Sequence, residues 1–132
     1  MYEVRFHGRG GQGAVTAAAM LAAALLEEGK YAVSIPSFGF ERRGAPVVSF
    51  LRCSDREIRQ LTNIYTPDCL ICVDPTLAKT VDIFGGLKPG GTLVQATNKP
   101  LAEVALSPSV ATVGLCDAIG IALQIFSKPI TN

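Results

Sequence analysis

Polar and apolar residues alternate over residues 2–7 and then give way to a glycine cluster, Gly8-Arg9-Gly10-Gly11-Gln12-Gly13. Period-two alternation predicts a strand. From Ala14 to Leu26 every residue except Thr16 is apolar, which predicts a helix, and Gly29 stands where a helix-ending glycine belongs. This run is shorter than the roughly 20 apolar residues that cross a bilayer. A helix apolar on nearly every side must be covered on nearly every side. One sheet covers a single face, so the run points to a partner chain, although so much alanine also suits tight packing.

Further along, residues 31–35 read as a second short strand, followed by a turn-rich loop from Pro36 to Pro46. Residues 47–53 read as a third strand, Ser54-Asp55 as a turn, and residues 57–61 as a strand pairing back on the third as a hairpin. Residues 69–73 form a continuous apolar run of the type buried on both faces of a sheet. Asp74-Pro75 then opens a helix expected to reach about Phe84, since proline suits the first helical position. Lys88-Pro89-Gly90-Gly91 is a tight turn before a strand at 92–96. A last short strand at 111–114 and a helix from about Asp117 to Phe126 complete the pattern. Strands alternating with helices predict an α/β fold: a single Rossmann-like three-layer domain over residues 1–132, with a mainly parallel sheet that the hairpin makes mixed.

Composition narrows the function classes. Nearly half of the residues are hydrophobic, and Lys plus Arg total 12 against 11 acids, a net charge of +1. The chain should therefore fold, and it offers no electrostatic footprint for nucleic acid or for a membrane surface. Cys53, Cys69, Cys72 and Cys116 sit in or beside apolar runs, which reads as a reduced, cytoplasmic protein.

The glycine cluster satisfies G-x-G-x-x-G between a predicted strand and a predicted helix. Such glycines permit a tight turn and let backbone N–H groups approach an anion at the helix N-terminus. A dinucleotide site also wants an acid near the end of the second strand, where this chain has Ser34-Ile35-Pro36. Three readings stay open on spacing alone: close strand–helix packing, another anion site, and a dinucleotide site. The second polar segment, Phe38-Gly39-Phe40-Glu41-Arg42-Arg43-Gly44-Ala45-Pro46, concentrates charge and aromatics in a chain poor in both. Loops after the first and second strands of a parallel sheet leave the same edge, so Arg9, Gln12, Glu41, Arg42 and Arg43 are expected to be neighbours. Arginine forks there suit a phosphate, a carboxylate or a partner's acidic side chain; the bland reading is a solvated turn.

The run from Phe6 through the glycine cluster to Val15, then Pro36-Ser37-Phe38-Gly39 and Glu41-Arg42-Arg43-Gly44-Ala45-Pro46, resembles the gamma subunits of 2-oxoacid:ferredoxin oxidoreductases. Val73-Asp74-Pro75-Thr76-Leu77 and Lys128-Pro129-Ile130-Thr131-Asn132 are similar to later signatures of that family. The resemblance implies a subunit without a reaction centre of its own, docked on alpha, beta and delta-type subunits that oxidatively decarboxylate a 2-oxoacid such as pyruvate. Thiamine diphosphate, Mg²⁺ and [4Fe-4S] clusters are then expected on those partners, with coenzyme A as co-substrate and ferredoxin or another carrier as electron acceptor. Gamma subunits of that family continue past the Pro-Ile-Thr-Asn segment with a further helical region, so the resemblance implies a C-terminal portion that this polypeptide lacks or that another chain supplies. Gly8, Arg9, Gly10, Gly11, Gln12 and Gly13 become the candidate anion- or cofactor-proximal loop. His7, Phe38, Glu41, Arg42, Arg43 and Gly44 become candidates for a subunit interface or for the neighbourhood of coenzyme A. An autonomous module binding NAD, FAD or coenzyme A is the competing reading.

The remaining candidates are weaker. Cys69-Leu70-Ile71-Cys72 is a C-x-x-C, but in a strand its two thiols point to opposite faces, so core packing is expected and no metal site. His7, the lone histidine, has no assignable nucleophile or acid and is read as structural or interfacial. Asp74, at a strand end, is placed like a ligand-binding acid but equally caps the helix begun by Pro75, and the cap is the reading taken; Asp55, Asp68 and Asp82 read as turn or surface acids. No catalytic residue is expected in this chain.

Overall fold

The structure, a computed structural model, describes residues 1–37 and 43–128. Strand β1 (Tyr2–Arg9) leads to helix α1 (Ala14–Glu27), then to β2 (Tyr31–Pro36) and β3 (Pro46–Ser54). Strands β4 (Cys69–Cys72), β5 (Gly91–Ala96) and β6 (Val110–Cys116) follow, with helix α2 (Ala118–Phe126) last. All six strands form one sheet in the order β2-β3-β1-β4-β5-β6. β3 runs against both of its neighbours, whereas β1, β4, β5 and β6 are parallel. The sheet is mixed because β3 is reversed, not because of residues 57–61.

Those residues are the first correction: they form no strand. Arg52, almost wholly buried on β3, instead donates to the backbone carbonyls of Gln60, Thr62 and Asn63 and straps this segment across the sheet. A guanidinium fork satisfies the carbonyls that a ladder would have satisfied. Directly opposite on β1, Glu3 accepts from Arg52 Nε at 2.9 Å and keeps the buried charge paired.

The helix expected from Pro75 to Phe84 is the second correction. Only a 3₁₀ turn, Pro75–Lys79, forms, with Asp74 capping the Thr76 N–H. Beyond it Thr80, Val81 and Ile83 are β-branched and disfavour helix, and Arg5 takes the carbonyls of Ile83 and Gly85 at 2.9 and 2.7 Å. Gly86 lies at φ 77°, where a side chain would overlap the Tyr65 carbonyl.

The core therefore has two unlike halves. On one face α1 covers the sheet through Ala14, Ala18 and Ala22, which pack with Val4, Phe6, Leu51 and Cys69. On the other face Leu70, Cys72 and Leu93 pack against Leu77, Ile83 and Leu87 from irregular chain. Cys69 and Cys72 thus face opposite cores, as strand geometry requires, and burial pushes both thiols up to about 11. α1 ends in a Schellman cap, with Gly29 N–H donating to Leu26 O and Lys30 N–H to Leu25 O.

Two apolar surfaces stay open. α1 turns Met20, Leu21 and Leu26 outward, and α2 exposes Ile119, Ile121, Leu123, Ile125 and Phe126. β6 is an edge strand, Val-Ala-Thr-Val-Gly-Leu-Cys, with no charge and no proline. No helix is long and apolar enough to cross a membrane among the described residues.

Candidate functional site

The carboxyl ends of β1 and β4 lie side by side. The connection from β1 crosses one face of the sheet through α1 and that from β4 crosses the other, so a crevice opens between them; ligands of open α/β sheets gather at such places. The glycine cluster stands at this point. Its glycines divide the labour. Gly8 brings strand and helix together: a Cβ there would meet Val73 Cγ2 at 2.6 Å and Ala14 Cβ at 2.9 Å. Gly11 and Gly13 adopt φ of 88° and 83°, the left-handed region that favours glycine. Gly10 bridges to Arg43, donating its N–H to Ala45 O at 2.9 Å and accepting from Gly44 N–H at 3.2 Å.

Asp74 holds this corner together. Its Oδ2 accepts from Arg9 Nε at 3.0 Å and from Gln12 Nε2 at 2.8 Å. Its Oδ1 accepts from the Thr76 N–H at 2.8 Å and the Thr76 hydroxyl at 2.7 Å. Burial raises the Asp74 carboxyl, but the hydrogen bonds from Thr76 and Gln12 and the Arg9 charge outweigh it, so the group lies below the usual carboxylate range. Arg9 completes a clasp by reaching the Gly44 carbonyl at 3.1 Å and the Thr76 hydroxyl at 3.2 Å. Gln12 Oε1 turns back to accept the Arg9 N–H at 2.7 Å.

The consequence is chemical. The backbone N–H groups of Arg9 and Gly10 are both engaged within the chain, and the Arg9 charge is paired with Asp74. What remains is a pocket of about 270 Å³ beside the N-terminus of α1, lined by Arg9, Gly10, Gly11, Gly13 and residues 14–16 with Val47. Arg43 is exposed next to it.

The candidates divide accordingly. Arg9, Gly10, Gln12, Arg43 and Gly44 are brought together, as strand direction implied. His7 is not at the surface: it is buried on β1, where Nε2 accepts from Arg5 Nε at 3.0 Å, and burial with the nearby Arg5 charge lowers its pKa to about 4. Phe38, Glu41 and Arg42 lie outside the described residues. Sequence reasoning noticed Asp74 at a strand end but preferred its cap, and missed that it is the hub for Arg9 and Gln12. The signal that could have found it was that its strand adjoins the glycine strand.

Fold and site define an α/β subunit with a braced glycine corner and no assembled nucleophile or acid–base pair among the described residues. The chain belongs to the pyruvate ferredoxin/flavodoxin oxidoreductase family, whose model matches residues 3–132, and stands among its gamma subunits. It is 78% identical over 132 residues to the gamma subunit of NADH-dependent phenylglyoxylate dehydrogenase from Aromatoleum evansii, covering all of this chain and 70% of that one. It is 53% identical over 134 residues to the common gamma subunit of pyruvate/ketoisovalerate oxidoreductases from Thermococcus kodakarensis, covering 100% and 72%. The crystal structure of the pyruvate oxidoreductase subunit PORC from Thermotoga maritima superposes with a TM-score of 0.82 at 37% identity, covering 98% of this chain and 69% of that one.

Proposed function

We propose that this chain is a docking gamma subunit of a cytoplasmic, thiamine diphosphate-dependent 2-oxoacid oxidoreductase, with the reacting carbon, Mg²⁺ and [4Fe-4S] clusters held by alpha, beta and delta-type partners. The observation that carries the reading is the internal satisfaction of the glycine corner: Asp74, Arg9 and Gln12 answer one another and leave a shaped, rigid platform instead of a reactive group. Against an autonomous NAD or FAD module stands the Arg9 charge, already held by Asp74. The absence of an acid in Ser34-Ile35-Pro36 points the same way. The exposed apolar faces of α1 and α2 support burial against other polypeptide.

On this reading the segment Glu41-Arg42-Arg43-Gly44, with Phe38, meets a catalytic subunit near coenzyme A. Arg43 beside the glycine corner fits a partner carboxylate or a coenzyme phosphate. The 78% identity to a phenylglyoxylate dehydrogenase subunit favours an aromatic 2-oxoacid over pyruvate, and an acceptor linked to NADH over free ferredoxin. The test is Arg42→Ala with Arg43→Ala in the purified complex. Assembly should weaken, or the apparent KM for coenzyme A should rise by about tenfold or more, while the Tm of the lone chain stays put. Normal assembly with unaltered kinetics would make this segment a solvated turn. The isolated chain should oxidise no 2-oxoacid and carry no stoichiometric iron, checked by anaerobic assay and metal analysis.

A further inference from the structure

Asp74 stands just past β4 with two hydrogen bonds on each carboxylate oxygen. Capping the short turn Pro75–Lys79 uses only the pair from Thr76 on Oδ1. The pair on Oδ2, from Arg9 and Gln12, is surplus to a cap and joins the end of β4 to the glycine corner. Two routes lead on from there. Through the side chain, Asp74 holds Arg9 Nε while Arg9 Nη1 donates to the Gly44 carbonyl at 3.1 Å. Through the backbone, Asp74 holds Gln12, whose Oε1 fixes the Arg9 N–H at 2.7 Å. The next residue, Gly10, donates to Ala45 O and accepts from Gly44 N–H. Both routes end on residues 43–45, the approach to β3.

That approach needs holding. Gly44 adopts φ 82°, and a Cβ there would meet nothing within 4 Å, so no packing on that side fixes a backbone that glycine leaves free. Arg43, exposed immediately before it, takes the direction of its Cα–Cβ bond from this backbone. A loop that must be ordered on docking loses affinity to the ordering, and a loop already held does not. The carboxyl of Asp74 lies below the usual range, so the charge that holds Arg9 is present at neutral pH. We infer that Asp74 is a positioning residue for partner docking: through Arg9 and Gln12 it presets the backbone at Gly44 and so aims Arg43 at the anionic group it meets. The inference rests on the reading that Arg43 lies at the interface with a catalytic subunit.

The experiment is a double-mutant cycle in the purified complex, with Asp74→Asn, Arg43→Ala and the two combined, read as the Kd of assembly and as kcat and apparent KM for coenzyme A. Asparagine keeps the shape of the side chain and removes its charge. Asp74→Asn should weaken assembly or raise that KM by about fivefold or more, with kcat within about twofold, and should add nothing once Arg43→Ala is present. A fall in kcat alone, or an effect that adds to that of Arg43→Ala, would make Asp74 a structural residue and overturn the inference. Arg9→Gln leaves the contacts of Asp74 with Thr76 and Gln12 in place. It should reproduce Asp74→Asn, and decides the matter if Asp74→Asn fails to fold. If Arg43→Ala weakens docking but neither Asp74→Asn nor Arg9→Gln does, the docking reading stands and the positioning role falls. If Arg43→Ala itself changes nothing, the docking reading falls and takes the inference with it.

Discussion

The two faces of the sheet are held by opposite means. Towards α1 the contact is alanine and small apolar side chains, and the hydrogen bonds stay inside helix and strands. Away from α1, Arg5 and Arg52 reach out of the sheet and grip the carbonyls of irregular chain at residues 60–63 and at Ile83 and Gly85. The first face tolerates change in proportion to the volume lost. The second depends on single groups whose removal strands several partners at once. Irregular backbone can form a core layer, then, when buried cations replace the hydrogen bonds that a helix would have made for itself.

Breaking the strapped face should cost most. Gly86→Val combines a positive φ with overlap of the Tyr65 carbonyl and should leave little folded protein, seen as loss of the cooperative melt. Arg52→Met removes the partner of Glu3 and of three carbonyls, for an expected loss of about 3–5 kcal/mol by denaturant titration. Leu51→Ala, its neighbour facing α1, should cost about 2–4 kcal/mol. If Leu51→Ala proved the costlier, the contrast between the faces would fail.

His7 offers a milder probe through pH. Its folded pKa of about 4 lies below the ordinary 6.5, so between those values the unfolded chain binds a proton that the folded chain refuses. Stability from this group is full above pH 6.5 and falls as the pH drops towards 4, by about 3 kcal/mol in all. His7→Gln should flatten that slope in melts taken from pH 7 to pH 4. Within the apolar half, Gly13→Val should destabilise more than Cys69→Ala. The first forces a β-branched residue to φ 83°, whereas the second loses about 1–2 kcal/mol.

Legibility followed the same division. The six strands of the sheet, the alanine helix with its Gly29 cap, and the opposite orientation of Cys69 and Cys72 could be read, because periodicity records which side chains face a regular partner; the hairpin strand expected at residues 57–61 does not form. The meeting of the glycine cluster with residues 43–45 was legible from strand direction, although β3 proved to run against its neighbours. The straps were not, because Arg5 and Arg52 look like ordinary polar positions in an alternating strand. Their partners are carbonyls far along the chain. Nor did spacing tell the glycines apart: Gly8 serves close approach, Gly11 and Gly13 serve turn geometry, and Gly10 serves bridging to Arg43.

The outer edge of β6 bears on handling this protein. Seven residues without charge or proline form an edge that no strand pairs among the described residues, the arrangement that lets one chain zip onto another. Copies made in excess of whatever covers that edge should therefore precipitate with rising concentration and warmth. Co-expression with the covering polypeptide, more than any buffer, should decide the yield.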